Sequence, residues 1–404
     1  MSGLTLFERH LSSARAAMSR MFDDHEEVRS EGALVWAADG TEFLNCAGYG
    51  VFLLGARHPR VAQAVIDQVV RHPLSTRILL EPTSAHAASV LADVCPPGLS
   101  KVHFAGSGAE ATEAAIKLAR AHGIRRLVSC TNGYHGKTLG ALSVTARDVY
   151  QAPFRPLLPD VVTVPFGDVV ALADVLSDGV PSCFIVEPVQ GEGGVIVPPS
   201  SYLSDVERLC REHGAFLVVD EILTGLGRLG RWWGCGDVTP DVLLVGKALS
   251  GGIVPVSAAV CTPEAYLPFD KDPFLHTSTF AAAPIAVAAA RAAVEAIIVD
   301  DLVPRAAAIG SFLLKSLRDS ANRHCPDVVR DVRGEGLLIG VELVDAGFTG
   351  ELLLALLDEQ VLVNHSLNNS AVLRLTPPAV LTDAQASRIG AAFDAAFAQL
   401  ARRV

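Results

Sequence analysis

One lysine stands where a chain rarely places a charge. Lys247 ends an apolar run in the stretch DVLLVGKALSGG, and the chain has only six lysines in 404 residues. An ammonium beside Val245 and Leu249 loses hydration, which normally lowers the pKa of a lysine. A desolvated lysine is a candidate nucleophile or Schiff-base former. By itself the stretch is also explained by a strand-end lysine whose ammonium reaches solvent.

A second candidate group lies in AGSGAEATEAAIKLAR, which follows a short strand and opens a helix. Ser107, Gly108 and Ala109 have small side chains and free backbone N–H groups at the helix N-terminus. That arrangement binds phosphate through the amides and the helix dipole. An ordinary serine N-cap has the same local sequence, so the pattern leaves both interpretations open.

The third candidate is a carboxylate at the end of a buried strand, in AFLVVDEILTGLGRLG. Strand alternation puts Asp220 and Ile222 on one face and Glu221 on the other. A carboxylate in this position needs a cationic or hydrogen-bonding partner, whether it serves chemistry or a structural ion pair.

The same stretch contains GLGRLG, residues 225–230, which matches G-x-G-x-x-G literally. A dinucleotide-binding fingerprint opens a helix and is followed by an acidic residue about 20 positions later. RWWGCGDVTP follows instead and the region near Ser250 has no acid, so we expect no dinucleotide site.

Each of the three groups follows a strand, so they share one rim of the predicted sheet. Pyridoxal phosphate (PLP) requires this set: amides for its phosphate, a carboxylate that keeps the pyridine nitrogen protonated, and a lysine for the Schiff base. Lys247, once displaced by substrate, is also suited to move a proton.

The elements that position these groups alternate between helix and strand. Continuous apolar strands separated by helices predict an α/β fold with a mostly parallel sheet covered by helices on both faces. An N-terminal helix over 5–20, a hairpin in ALVWAADGTEFLNC and strands in LLIGVEL and AVLRLTPP predict a smaller α+β domain. The predicted helices are Val61–Val70, Thr83–Val94, Ala109–Ala121 and Tyr202–His213, and the predicted strands are Lys101–Phe104, Arg126–Cys130, Val161–Val164, Cys183–Val186, Phe216–Asp220 and Val242–Val245.

Composition excludes several classes of protein. Half of the residues are hydrophobic, which indicates a globular chain, and a formal net charge of −11 argues against a nucleic-acid partner. The N-terminus lacks the apolar core of a signal peptide, and the alanine-rich run 281–299 carries Arg291 and Glu295, so we expect no membrane span. Eight scattered cysteines without C-x-x-C spacing predict no metal site and no disulfide framework, as in a reducing cytoplasm.

Six motifs together resemble the class III aminotransferases, which are fold-type I PLP enzymes, over nearly the whole chain. They are GSGAEATEAAIKLAR, YHGKTLGALS, VEPVQGEGG, VVDEILTGLGRLG, LLVGKALSGG and HTSTF. The resemblance implies that Tyr134 stacks on one face of the cofactor ring and Ile222 packs against the other. It also implies that His135 and Glu187 belong to the cofactor site, and that Thr279 reaches the phosphate of the neighbouring subunit in an obligate homodimer.

The resemblance further implies a substrate-binding pair, Glu192 and Arg374. The arginine would bind an oxoacid carboxylate bidentately and would be covered by the glutamate when an amine end fills the pocket. Within the family, the motifs resemble the putrescine aminotransferase group. Lys137 stands where ornithine-type enzymes usually have an arginine for the substrate's α-carboxylate. Leu223 replaces a usual glutamine near the cofactor's 3-oxygen, and Ala281–Ala283 replaces Gly-Gly-Asn, so the pocket rim is expected to differ.

The expected protein is a homodimeric PLP-dependent aminotransferase. It would move the terminal amino group of a diamine or ω-amino compound to 2-oxoglutarate. The alternatives are an ornithine/acetylornithine-type or natural-product biosynthetic aminotransferase and, in another reaction class, a PLP-dependent aminomutase or amino-acid epimerase. The expected division is an N-terminal segment 1–55 joining the small domain, a large PLP-binding domain 56–284 and a C-terminal small domain 285–404.

Overall fold

The computed structural model describes residues 3–22 and 24–402. The helices are α1 (Gly3–His10), α2 (Ser13–Arg20), α3 (Pro59–Arg71), α4 (Pro82–Ala92), α5 (Gly108–Ala121), α6 (Leu139–Val144), α7 (Asp148–Gln151), α8 (Val169–Leu176), α9 (Tyr202–His213), α10 (Pro263–Lys271), α11 (Pro284–Val299), α12 (Leu302–His324), α13 (Ala346–Asp358) and α14 (Asp383–Ala401). The strands are β1 (Glu27–Glu31), β2 (Leu34–Ala37), β3 (Glu42–Asn45), β4 (Lys101–Ala105), β5 (Arg126–Cys130), β6 (Val161–Val164), β7 (Ser182–Val186), β8 (Phe216–Asp220), β9 (Val242–Val245), β10 (Ser257–Cys261), β11 (Val329–Glu335), β12 (Leu338–Leu343), β13 (Val361–Leu362), β14 (Asn364–His365) and β15 (Val372–Leu375).

A seven-stranded sheet forms the centre, in the order β4-β10-β9-β8-β7-β5-β6. The neighbours from β9 to β6 pair in parallel, whereas β10 runs antiparallel to both β4 and β9. The six predicted strands and the four predicted helices are confirmed to within two residues at their ends. Strand β10 was not predicted, because its small residues SAAVC lack a strong strand pattern.

The apolar strands are buried on both faces, which explains their continuous hydrophobic sequence. In β7, Phe184 and Val186 belong to one hydrophobic cluster, whereas Cys183 and Ile185 belong to another. Helix α5 packs in the second cluster and α11 in the first. The fold is therefore of the α/β class, with helices on both sides of the central sheet.

Two four-stranded sheets accompany the central one. The predicted hairpin is confirmed as β2 and β3, and β13 from the C-terminal part pairs in parallel with β3. The predicted strands LLIGVEL and AVLRLTPP are confirmed as β12 and β15, which pair with each other. Both ends of the chain thus contribute to one sheet, and the division into 1–55, 56–284 and 285–404 stays a prediction.

The single N-terminal helix expected over 5–20 is wrong, because the chain forms α1 and α2 with a break at Leu11 and Ser12. The Ser12 hydroxyl accepts a hydrogen bond from the Arg15 N–H at 3.3 Å, and this N-cap starts the second helix. Among the described residues, no helix combines the length and apolar character needed to cross a bilayer. All eight cysteines are free thiols.

Candidate active site

The candidate groups meet where the parallel strands end. Strand β8 ends at Asp220, Lys247 follows β9 by two residues, and Glu187 follows β7 directly. Helix α5 begins three residues after β4, so its N-terminus lies at the same rim. In α/β sheets, ligands bind at the carboxyl ends of the strands. One pocket here is lined by Gly108, Ala109, Tyr134, His135, Gly136, Lys137, Glu187, Glu192, Asp220, Ile222, Leu223 and Lys247.

Lys247 occupies an unusual backbone conformation. Its φ is +45°, in the left-handed region, which residues other than glycine rarely adopt. It opens a short 3-10 turn, Lys247–Ser250, directly after Gly246. Burial lowers the pKa of the lysine, against the opposing influence of Glu192 and Asp220. A less basic amine in a strained position is typical of a functional lysine.

Asp220 is paired with a histidine that the strand pattern did not indicate. Its Oδ2 lies 2.7 Å from Nδ1 of His135, and its Oδ1 accepts a hydrogen bond from the Ile222 N–H at 3.1 Å. Burial by itself would lower the pKa of His135, but the hydrogen bond and charge of Asp220 outweigh it and the pKa is raised. The His135 backbone is held in turn by the Thr145 hydroxyl at 2.9 Å. These contacts use two of the roughly four acceptor positions of the Asp220 carboxylate. The carboxylate can therefore still accept a hydrogen bond from a group bound in the pocket.

Glu187 anchors the loop that carries Tyr134. Its Oε2 accepts a hydrogen bond from the Tyr134 N–H at 3.0 Å. Burial raises the pKa of this glutamate to about 7, while the neighbouring His135 acts in the opposite direction. The carboxyl group therefore positions an aromatic ring at the pocket and is poorly solvated itself.

The N-terminus of α5 keeps both interpretations that its sequence allowed. The Ser107 hydroxyl accepts a hydrogen bond from the Glu110 N–H at 3.3 Å, which is an ordinary N-cap. Gly108 and Ala109 line the pocket, and the first amides of a helix have no partners within it. Gly136 has a φ of +122°, and a Cβ there would lie 2.7 Å from the Cβ of Ala109. Only glycine lets that loop approach the helix start so closely.

Glu192 and Arg374 form a second buried pair. Nη1 of the arginine lies 2.6 Å from Oε1 of the glutamate, and the two side chains are 1% and 5% exposed. The N–H groups on Nη1 of Arg374 are not directed at Oε1 of Glu192 well enough to form a hydrogen bond. Nε and Nη2 of the arginine also have no hydrogen-bond partner among residues 3–22 and 24–402. Oε2 of Glu192 accepts a hydrogen bond from the Leu367 N–H at 2.9 Å. The guanidinium is therefore held by charge and keeps donors that a ligand can use.

The model of the family Aminotransferase class-III matches residues 18–397. The chain belongs to this family. Its structure superimposes on an ornithine aminotransferase from Toxoplasma gondii with a TM-score of 0.90, at 30% identity, over 100% of this chain and 99% of that one. An (S)-enantioselective omega-transaminase from Thermomicrobium roseum gives 0.87 at 28% identity, over 95% of each chain. A transaminase from a marine Virgibacillus agrees in fold, with 0.90 at 24% identity over 99% of each chain.

This class III aminotransferase is a PLP-dependent transaminase of fold type I, and its pocket fits the cofactor. The pocket offers four groups that suit PLP: backbone amides at the start of a helix for the phosphate, a buried carboxylate for the pyridine N–H, an aromatic ring, and a lysine of lowered pKa. When bound, PLP supplies a ring that withdraws electrons from the substrate carbon that loses its proton. Asp220, Tyr134 and Ile222 would hold that ring, and Lys247 Nζ would be the group suited to take up and return the proton.

Three predicted residues do not line this pocket. The Ser107 side chain caps α5, and Arg374 is buried and paired with Glu192, which does line the pocket. Thr279 is exposed, and its carbonyl accepts a hydrogen bond from Arg77 Nη2 at 2.8 Å. Because none of Ala281–Ala283 lines the pocket within this chain, the reshaped rim expected there stays a prediction about the assembled protein.

The departure at Leu223 has a packing explanation that the sequence did not indicate. A Cβ at Gly191 would lie 2.0 Å from one Leu223 methyl group, and a Cβ at Gly50 would lie 2.4 Å from the other. The leucine thus fits because both neighbours are glycine. Gly50, from the N-terminal part of the chain, also brings its backbone close to Lys247, since its Cβ would lie 3.8 Å from Cδ of the lysine. No local signal connects these distant glycines with the site.

Proposed function

We propose that this aminotransferase moves the terminal amino group of a diamine or ω-amino compound to an oxoacid, with 2-oxoglutarate as the acceptor. The amine then leaves as an aldehyde and the acceptor as glutamate. Lys247 would carry the proton transfer, Asp220 would hold the pyridine nitrogen, and Tyr134 and Ile222 would enclose the cofactor ring. The proposal rests on the environment of Arg374, the group expected to bind the carboxylate of the oxoacid.

The main support for the proposal is the state of Arg374. It is buried, paired only with Glu192, and has two nitrogen groups without partners among the described residues. A planar guanidinium binds a carboxylate through two parallel hydrogen bonds, so a substrate carboxylate can satisfy the unused donors. An isomerase on the same fold needs no external oxoacid. A buried arginine with unused donors, suited to the carboxylate of a second substrate, therefore argues against an isomerase.

The amine donor that we propose first is a putrescine-like diamine, which rests on the sequence resemblance around Lys137. A specific contact favours the ornithine-type donor as second candidate. The Lys137 ammonium lies 3.9 Å from the centre of the Tyr150 ring and lines the pocket, and no described carboxylate forms an ion pair with it. A free cation at the pocket suits a donor that carries a carboxylate, whereas it repels a second ammonium.

A homodimer with shared sites also belongs to the proposal. Thr279 lies in an exposed segment beside Phe280, which is 69% exposed. Arg77 donates a hydrogen bond to the Thr279 carbonyl and so connects this segment to a second exposed loop. In that loop, Ile78, Leu79 and Leu80 are 88%, 76% and 95% exposed. Contiguous apolar side chains of this size normally lie in an interface. We propose that a second copy covers them, which would bring Thr279 to the partner's cofactor phosphate.

A screen of amine donors with 2-oxoglutarate tests the function directly. Putrescine, ornithine, acetylornithine and 4-aminobutyrate are supplied to the holoenzyme, and glutamate formation is measured. Glutamate formed from a terminal amine supports the proposal. Turnover of an amino acid into an isomer without any added oxoacid would contradict it.

Lys137→Ala decides between the two donors. With a diamine donor, kcat/KM is expected to stay unchanged or to improve, because a repelling cation is removed. With an α-carboxylate donor, the same change is expected to cost roughly 1–3 kcal/mol, typical of a hydrogen bond to a charged group. Lys117→Ala, a lysine of α5 outside the pocket lining, is the matched control.

A further inference from the structure

Residues 366–369 connect β14 to β15, the strand that carries Arg374, and they contact Glu192 at two points. The Leu367 N–H donates a hydrogen bond to Oε2 of Glu192 at 2.9 Å. The next N–H along the chain, that of Asn368, donates to the backbone carbonyl of Glu192, also at 2.9 Å. One short segment therefore fixes both the side chain and the backbone of Glu192 in the arrangement that pairs it with Arg374.

The hydroxyl group of Tyr150 supports this segment from the other side. It donates a hydrogen bond to the Leu367 carbonyl at 2.9 Å. That carbonyl and the Asn368 N–H belong to one planar trans peptide group, so they point in opposite directions. A single rigid peptide thus joins the hydroxyl of Tyr150 to the backbone of Glu192.

The ring of Tyr150 is itself held at the pocket. It belongs to α7, where the neighbouring Gln151 side chain donates a hydrogen bond to the Thr145 carbonyl at 3.0 Å. The Lys137 ammonium, from the pocket lining, lies 3.9 Å from the centre of the Tyr150 ring. Because a cation is attracted to an aromatic face, this contact favours the observed position of the ring. The hydroxyl therefore reaches Leu367 from a well-defined position.

We infer that Tyr150 is a positioning residue that stabilises the pairing of Glu192 with Arg374 and thereby sets the affinity for the oxoacid. This rests on the proposed binding of the oxoacid carboxylate by Arg374. That carboxylate and the Glu192 carboxylate repel each other, so the oxoacid binds well only when Glu192 moves away and breaks its hydrogen bond with Leu367.

The apparent affinity for an oxoacid is then set by the fraction of enzyme in which Glu192 has left Arg374. A hydrogen bond that supports the paired arrangement lowers this fraction. Tyr150 therefore weakens oxoacid binding, although it lies outside the ion pair and contacts it only through residues 367 and 368.

Tyr150→Phe tests this role, because it removes the hydroxyl and keeps an aromatic ring for the Lys137 ammonium. Binding of glutarate, a dicarboxylate that cannot be transaminated, is measured by calorimetric titration of the holoenzyme. We expect its dissociation constant to fall by about two- to tenfold, the range for one neutral hydrogen bond. A substitution that merely loosened the fold would weaken glutarate binding, so tighter binding identifies a positioning role.

Two further variants show whether the effect passes through Glu192. In the Glu192→Ala background the carboxylate is absent, so Tyr150→Phe is expected to add no gain in glutarate affinity. Tyr266→Phe is the matched control, because Tyr266 lies on α10 outside the pocket lining and also has an ammonium near its ring, that of Lys101 at 6.0 Å. This control should leave glutarate binding unchanged.

The outcomes separate this inference from the function on which it rests. If glutarate does not bind the unmodified holoenzyme, or binds equally well to Arg374→Ala, the proposed role of Arg374 is wrong and the inference fails with it. If binding depends on Arg374 but Tyr150→Phe leaves it unchanged or weaker, only the role of Tyr150 is overturned. An equal gain with and without the Glu192 carboxylate would overturn it too, since the effect would not pass through Glu192.

Discussion

The two buried ion pairs of the active site have similar distances between their charged atoms, but they differ in how many further hydrogen bonds their members form. Asp220 and His135 lie 2.7 Å apart, and further backbone and hydroxyl hydrogen bonds hold both partners. Glu192 and Arg374 lie 2.6 Å apart, yet the arginine keeps unused donors. The first pair is fixed by these additional hydrogen bonds and keeps only acceptor positions on Asp220, whereas the second keeps unused N–H donors on Arg374 that a carboxylate ligand can satisfy.

We propose that the difference divides the pocket into a cofactor end, with Asp220, and a substrate end, with Arg374. Lys247 lines the same pocket as Glu192, Asp220 and Glu187. Burial has the largest effect on its pKa and lowers it, and charged groups of both pairs, Glu192 and Arg374 as well as Asp220, also influence it. Substitutions at the cofactor end should impair both half-reactions, whereas substitutions at the substrate end should separate them. The predictions below test this division, from the largest expected effect to the smallest.

Lys247→Ala is expected to abolish both half-reactions, because the proposed proton transfer by this lysine occurs in each of them. Borohydride treatment should then no longer attach PLP to the chain, as peptide mapping would reveal. The remaining lysines are internal controls. A tag on Lys137 or Lys117 in the unmodified enzyme would show that the wrong lysine has been assigned.

Asp220→Asn keeps the shape of the side chain and removes its charge. We expect both half-reactions to slow by about 10²–10³-fold, the usual cost of losing a preorganised charge, with PLP still bound weakly. Single-turnover kinetics of each half-reaction measure this. If only one half-reaction slows, the assignment of Asp220 to the cofactor end is wrong.

Arg374→Ala should separate the two half-reactions. The step with 2-oxoglutarate is expected to slow roughly 100-fold, because two charge-assisted hydrogen bonds to its carboxylate are lost, whereas the amine step should change little. Since Glu192 would be left buried without its partner, the double variant Arg374→Ala/Glu192→Gln is the matched control for stability. Equal losses in both steps would remove the distinction between the two ends.

Glu187→Gln concerns stability at the cofactor end. The pKa of Glu187 is raised from its ordinary 4.5 to about 7 in the folded chain. The folded state therefore holds a proton that the unfolded state releases, so the free energy of unfolding falls between about pH 4.5 and 7, by up to about 3 kcal/mol. Denaturant titration of the apoenzyme from pH 5 to 8 should show this fall, and Glu187→Gln should flatten it. A variant that falls as steeply as the unmodified chain would assign the dependence to another group.

The sequence predicted the central sheet well because local patterns encode it. Continuous apolar runs marked β5 to β9, and Lys247 and Asp220 were found at their ends as charges that interrupt those runs. Strand β10 was missed because small residues give a weak pattern, and the N-terminal helices were merged because the Ser12 cap was not recognised.

The chemistry of the pocket was thus determined by the sequence itself: which residues follow the strands, and that they suit PLP. Only the tertiary structure decided which partners they have. It joined Asp220 to a histidine 85 residues away, set Leu223 between Gly50 and Gly191, and laid the Lys137 ammonium over Tyr150. The physical reason is that local patterns depend on neighbours along the chain, whereas these contacts depend on how separate elements pack together.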